Sequence, residues 1–247
     1  IRLETPPVGL RSDGTDDSSA TCRTYRVTVR DALLPPQRFE FTQWLHVDCI
    51  ARFHGVEPFS APFWPVLERY LRMAADHGAT LVLTPILTPP LDTAPGGERM
   101  TVQLVGVTRS GDRYGFDFSL LDRWIDTALG CGLRGFEFSH LFTQWGAAHA
   151  PKILATVDGT LRRLFGWDTD AAGPEYRAFL QALLPALRRH LASRNLLDAC
   201  RFHLSDEPGA AHLARYRDAY QLVSSCLGGL PILDALSDRS FGRMGPD

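Results

Sequence analysis

Two carboxylates stand side by side at Asp206-Glu207, directly before Pro208 and just after the apolar run Cys200 to Leu204. Adjacent like charges resist joint ionisation, and where a cleft partly excludes water one carboxyl group takes a raised pKa while its neighbour stays charged. That asymmetry is what general acid catalysis at neutral pH requires. The plain alternative is an acidic helix start favoured by the helix dipole, with Pro208 opening the helix.

Further residues with chemical potential fall at the ends of other apolar runs: Trp44, His46 and Asp48 at the end of the first, Glu137, Ser139 and His140 at the third, His203 and Ser205 beside the carboxylate pair, and Asp234 after the fifth. Carboxyl and imidazole groups at such places need partners or a solvated cavity, and their convergence on one face is a site signal. A lone histidine such as His46 or His203 serves equally well as a satisfied structural group. His46, Asp48 and His140 have the residue types of a metal site, but two ligands at i and i+2 with a third far along the chain is a weak pattern. No metal or cofactor is expected. Gln144, Trp145 and Trp167 lie in long polar stretches, where indole faces stack on sugar rings and amide groups bind hydroxyls; core packing is the competing role for a tryptophan.

The elements that must position these groups follow from hydrophobic period. Phe39 to Val47, Thr80 to Leu83, Gly135 to Phe138, Cys200 to Leu204 and Leu230 to Leu233 read as buried strands. Between them run helical faces: Phe63, Val66, Leu67 and Leu71; Leu121, Trp124, Ile125 and Ala128; Tyr176 through Leu191; and Leu213 through Val223. Ser60 is placed to cap the first helix, and Gly78 to end it. Strands alternating with helices imply a parallel sheet with right-handed crossovers. The connections after the second and third strands run to about 30 residues, far beyond the usual two to six, and in a barrel the function sits on that long-loop face.

The fold expected is therefore α/β, a (β/α)8 TIM-type barrel cut short after about five of its eight strands. A Rossmann-like sheet is the alternative, but its glycine-rich phosphate turn is missing after the first strand, where His46-Val47-Asp48-Cys49 stands instead. Thr24 to Arg30 alternates as a half-buried strand before Pro35-Pro36. Residues 1–38 thus read as the tail of another domain with its linker, and 39–247 as the barrel.

Composition narrows the partners. The chain of 247 residues is 45% hydrophobic and 22% charged, with a net charge of −2, and lacks the basic excess that phosphate recognition needs. Nearly all its basic residues are arginine, Lys152 being the single lysine, as biased base composition produces. No segment reaches the roughly 20 apolar residues of a membrane span, so neither nucleic acid nor membrane is an expected partner. The five cysteines, Cys22, Cys49, Cys131, Cys200 and Cys226, are odd in number and widely spaced, which suits free thiols and favours the cytoplasm. Oligomeric state stays open.

From about Phe41 onward the chain resembles the bacterial N-acetyl-β-galactosaminidases of glycoside hydrolase family 123 and the related domain-of-unknown-function family 4091. The resemblance rests on Phe41–Cys49 (FTQWLHVDC), Leu83–Thr93 (LTPILTPPLDT), Phe136–Ile153 (FEFSHLFTQWGAAHAPKI) and Phe202–Pro208 (FHLSDEP). It implies a barrel behind an N-terminal β-sandwich, and substrate-assisted hydrolysis in which the sugar's 2-acetamido group attacks the anomeric carbon. By motif match Asp206 would polarise that group, while Glu207 would protonate the leaving oxygen and then activate water. Two rival readings remain: a two-carboxylate retaining glycosidase with Glu207 as acid/base, and a non-catalytic carbohydrate-binding protein.

Overall fold

The computed structural model describes residues 28, 30–33, 39–91, 93–236 and 238–243. The chain divides into two units at Arg38/Phe39, and every element below belongs to the second. The strand expected over Thr24 to Arg30 lies largely outside the described residues, as does Cys22.

In chain order the elements are β1 (Thr42–Gln43), α1 (Val47–His54), α2 (Phe63–Asp76), β2 (Leu81–Thr84), β3 (Gly106–Ser110), β4 (Arg113–Asp117), α3 (Ser119–Gly130), β5 (Gly135–Phe138), β6 (Ile153–Val157), β7 (Thr160–Phe165), α4 (Pro174–Ser193), β8 (Cys200–Phe202) and α5 (Leu213–Leu227). Strands β1, β2, β5 and β8 form one parallel sheet in that order, with Leu83 opposite Glu137 and Glu137 opposite Arg201 in register. All four residues of β2 and of β5 are buried, which is why these runs are almost continuously apolar rather than alternating.

The helices cover this sheet through apolar stripes. In α3 the stripe is Leu121, Trp124, Ile125 and Ala128, and Trp124 donates its indole N–H to Thr84 Oγ1 at 3.1 Å on β2. In α4 seven side chains from Tyr176 to Leu191 are buried, each aliphatic one contributing about 1.5–3 kcal/mol. Pro174 opens α4 at its first position, where no N–H is needed.

Four expectations change. The first strand shrinks to Thr42–Gln43, because the chain turns at once into α1 with His46 at its N-cap. Ser60 makes no side-chain cap to α2; Pro62 holds that position, and the Ser60 hydroxyl instead donates to Glu57 O at 2.6 Å. The fifth run contributes a single parallel bridge, Phe202 to Ile232. Among the described residues the parallel strands form an open sheet, and no closed barrel is seen.

The largest departure lies in the two long connections. Each folds into an antiparallel hairpin, β3–β4 after β2 and β6–β7 after β5. The two hairpins then join through parallel pairing of β3 with β6, Thr108 opposite Thr156 and Arg109 opposite Val157, giving a second sheet of order β4-β3-β6-β7. The β6–β7 turn is Asp158-Gly159, both at positive φ (50° and 83°), as a tight two-residue hairpin turn demands. Gln103 reinforces the join, its amide reaching the backbone of Val105 and Leu154.

Candidate active site

Beyond their C-terminal ends the parallel strands deliver three groups of polar side chains. The first is buried around His203. Its Nδ1 faces Asp234 Oδ1 at 3.0 Å, and its Nε2 makes a close contact with Glu137 Oε1. Glu137 Oε1 also accepts the indole N–H of Trp44 at 2.7 Å. Burial alone would lower the His203 pKa, but the hydrogen bonds and charges of Asp234 and Glu137 outweigh it and raise the value to about 9. Burial pushes Glu137 up as well, and the His203 hydrogen bond and charge overcome it, holding the carboxyl below its ordinary range. On Asp234 burial wins and the pKa is raised.

His140 stacks on His203, with ring centroids 4.2 Å apart and planes 19° from parallel, and the edge of Trp44 meets both rings. Burial, then the charge of His203, drive the His140 pKa well down, so this ring is neutral. Both of its nitrogens, and Glu137 Oε2, are buried with no hydrogen-bond partner among the described residues. Such atoms are rare and mark places where a ligand or water completes the pairing.

The second group gathers around Arg99, which the sequence reading overlooked. Its Nε and Nη2 grip Asp48 in a two-pronged pair at 2.9 and 2.7 Å, Nη1 donates to Leu91 O at 2.8 Å, and Nη2 lies 3.3 Å from His46 Nδ1. Burial opposes ionisation of Asp48, but the Arg99 hydrogen bonds and charge hold its carboxyl below the usual range. Asp48 and His46 thus serve this pair, and the His46, Asp48 and His140 metal set is not assembled. The ligand atoms of His140, His203 and Asp234 do lie within 4.8 Å of one another. A metal there would have to take one His203 nitrogen from the carboxylate that now pairs with it and strip the ring of a proton that the two acids hold in place, so these residues fit an ion-pair network better than a metal centre.

The third group is Asp206-Glu207 itself. Its backbone is knotted to the loop after β5: Phe142 N–H donates to Leu204 O and Trp145 N–H to Asp206 O, both at 2.8 Å, while Ser205 Oγ donates to Thr143 O at 2.8 Å. Trp145, Ala147 and Glu207 all sit at positive φ (60°, 56° and 45°), a strain that non-glycine residues bear where surrounding structure imposes it, frequently at functional sites. Gly146 lets the knot close, because a Cβ there would stand 2.4 Å from His212 Cγ. Asp206 is half-buried and Glu207 exposed, so partial burial, the condition attached to the pair, is met at Asp206 only. Gln144 is buried and donates to Thr93 O at 3.3 Å, and Trp145 is 47% exposed.

Between the two long connections lies a shallow cleft lined by Pro89, Pro90 and Arg99 from the first and by Lys152, Arg163 and Trp167 from the second. Trp167 is half-buried against His149. Tyr216, read from the sequence as core packing on α5, donates its hydroxyl to Asp234. Position on a strand end could have flagged neither Arg99 nor Tyr216, since both come from other elements.

A parallel α/β sheet with acids, imidazoles and indoles beyond its strand ends is the build of a catalytic domain. The chain belongs to the family described as glycoside hydrolase 123, catalytic domain, which matches residues 44–246. Among solved structures it is similar to a family 123 glycoside hydrolase from Clostridium perfringens, studied for glycolipid glycan hydrolysis, with a TM-score of 0.61 at 15% identity over 83% of this chain. It also matches a bacterial orthologue of human α-L-iduronidase with a TM-score of 0.39 at 13% identity, over 81% of this chain and 27% of that one. The chain spans 36% of the length of the Clostridium enzyme. No curated protein matches it. Among the described residues no helix is long and apolar enough to cross a membrane.

Proposed function

We propose that this domain belongs to a glycosidase that hydrolyses N-acetylhexosaminides, β-N-acetylgalactosaminides foremost, with retention of configuration and with the substrate's acetamido group as nucleophile. The observation that carries the proposal is the Asp206-Glu207 pair at the exit of β8, held by a strained, cross-bonded backbone within a family 123 catalytic domain. On this reading the parallel strands are the first part of a (β/α)8 barrel, and residues 1–38 the tail of a β-sandwich domain.

In the first step the acetamido carbonyl oxygen bonds to the anomeric carbon as the glycosidic C–O bond breaks, and Glu207 gives its proton to the leaving oxygen. Asp206 accepts the acetamido N–H and stabilises the positive charge of the oxazolinium ring. Glu207, now a carboxylate, takes a proton from water, which attacks the same carbon and reopens the ring. Exposed Glu207 is open to the solvent side where leaving group and water exchange. Trp145 and Trp167 offer ring faces to sugars, and Glu137 Oε2 and His140 are the polar atoms of the buried group still able to pair with hydroxyls. The deciding experiment is inhibition of the full protein by a thiazoline analogue of the intermediate. Tight inhibition that weakens in Asp206→Asn is expected; efficient turnover of sugars lacking the 2-acetamido group, with no thiazoline inhibition, sinks the assisted mechanism.

A further inference from the structure

Asp234 follows the fifth apolar run and reads, from sequence, as one more strand-end acid available to a sugar. Its surroundings assign it otherwise. Its carboxylate receives four donors: His203 Nδ1 at 3.0 Å, Leu204 N–H at 3.1 Å, Ser205 N–H at 3.4 Å and the Tyr216 hydroxyl. A carboxylate has about four lone-pair sites, and this side chain is 1% exposed. No acceptor capacity is left for a ligand. Leu204 and Ser205 are the two residues immediately before Asp206. Their N–H groups on Asp234, with the Trp145 and Ser205 bonds on the loop side, fix from two sides the course of the chain that leads into the carboxylate pair.

We infer that Asp234, held by Tyr216 from α5 and by His203, is the clamp that sets the backbone of the Asp206-Glu207 strand end, a positioning residue and not a sugar ligand. The Tyr216 ring packs edge-on against Phe241, 5.2 Å between centroids, so helix α5 and the segment after it anchor the donor. Burial, then the charge of Asp234, hold the Tyr216 hydroxyl protonated as a donor. His203 is faced by Glu137 from β5, by Asp234, and by the neutral His140 stacked upon it. The two acids keep His203 a cation, and a cation is the donor that best secures a buried carboxylate.

The clamp is tested on the full protein with Tyr216→Phe, which keeps the ring and removes one donor, and with Asp234→Asn. The turnover arm rests on the hexosaminidase reading; the exchange arm does not. Misplacing a reacting group by about 1 Å can cost about 10²-fold in rate, so kcat should fall by about tenfold in Tyr216→Phe and by up to about 10²-fold in Asp234→Asn. KM should stay within about twofold, and the loss should be larger on natural than on activated aryl glycosides, because a displaced strand end misplaces the Glu207 proton donor along with Asp206. In unliganded protein, hydrogen exchange at Leu204 and Ser205 should quicken in both variants while peptides of α3 keep their wild-type rates. If the wild type shows no hexosaminidase turnover but exchange quickens as described, the functional reading fails and the clamp stands. A raised KM with kcat kept would make Asp234 a sugar contact, and unchanged exchange at Leu204 and Ser205 in Tyr216→Phe and in any folded Asp234→Asn would overturn the clamp.

Discussion

Glu137 and Asp234 enclose His203 in a buried setting, while Asp206 and Glu207, one strand end away, border solvent on a backbone strained at Glu207. Both sets belong to strand ends in the sequence, Glu137 within its apolar run and the other three just past theirs. The interior acids are held by internal bonds, Glu137 through the one oxygen shared between Trp44 and His203 and Asp234 through four donors. The outer pair is less enclosed, Asp206 being half-buried and Glu207 exposed. Burial therefore separates acids tied into an internal network from acids that border solvent, because a buried charge persists only when paired.

The contrast breaks most sharply at Glu207. In Glu207→Gln, kcat on glycosides with poor leaving groups should fall by about 10²–10⁴-fold, the usual scale of a lost general acid, while activated aryl glycosides keep more of their rate and the melting temperature hardly moves. Asp206→Asn should lose about 10²–10³-fold, the scale of one lost charge-stabilising contact, whatever the leaving group. Steady-state kinetics on paired substrates checks both, and equal losses for the two leaving-group classes in Glu207→Gln would refute its role as acid.

Glu137→Gln should reverse the pattern and act on stability. Removing one partner of a buried ion pair costs about 3–5 kcal/mol, readable as a lowered urea midpoint at unchanged slope. A loss under about 1 kcal/mol would mean that His203 does not depend on this carboxylate.

The same cluster sets a pH window. His203 titrates near 9 when folded and near 6.5 in a free chain, so the folded state retains a proton that the unfolded chain releases. Its contribution is complete below about pH 6.5, declines as pH rises and is gone once pH passes about 9. The melting temperature of the wild type should fall across that interval, and His203→Gln should flatten the decline. The smallest effect is expected outside both sets, at the Asp158-Gly159 turn: Gly159→Ala, at φ 83°, should cost about 1 kcal/mol and leave kcat unaltered.

Much of the central sheet was legible because β2 and β5 are buried and largely apolar and β8 alternates Cys200 and Phe202 inward about Arg201, and the helices because their stripes hold the 3.6-residue period from Leu121 to Ala128 and from Tyr176 to Leu191. Family membership was legible in the segments around Phe136 and Phe202. The hairpins were not, although Gly111-Asp112 and Asp158-Gly159 are turn signals flanked by alternation, Val107 with Tyr114 and Phe116, and Ile153 with Ala155 and Val157. Connection length masked them: a stretch of about 30 residues reads as loop when its strands pair with another connection distant in sequence. Candidate site residues were found wherever a strand end supplied them, and their partners were missed wherever a loop or helix did. Arg99 sits among glycines in a polar stretch, and Tyr216 shares its helix face with Ala219 and Val223. Asp234 shows the deeper limit, since only the donors around it reveal that it is occupied.

The pairing of β3 with β6 carries a lesson for anyone redesigning the domain. Two connections that leave the sheet at different strands are stitched into one wall, so neither is an independent module. Replacing the first with a homologous segment of another length would strip β6 of its neighbour, and the Gln103 amide would no longer meet Leu154. New specificities in this fold must then arise by exchanging the two hairpins together, or by altering side chains within a frame whose backbone is kept.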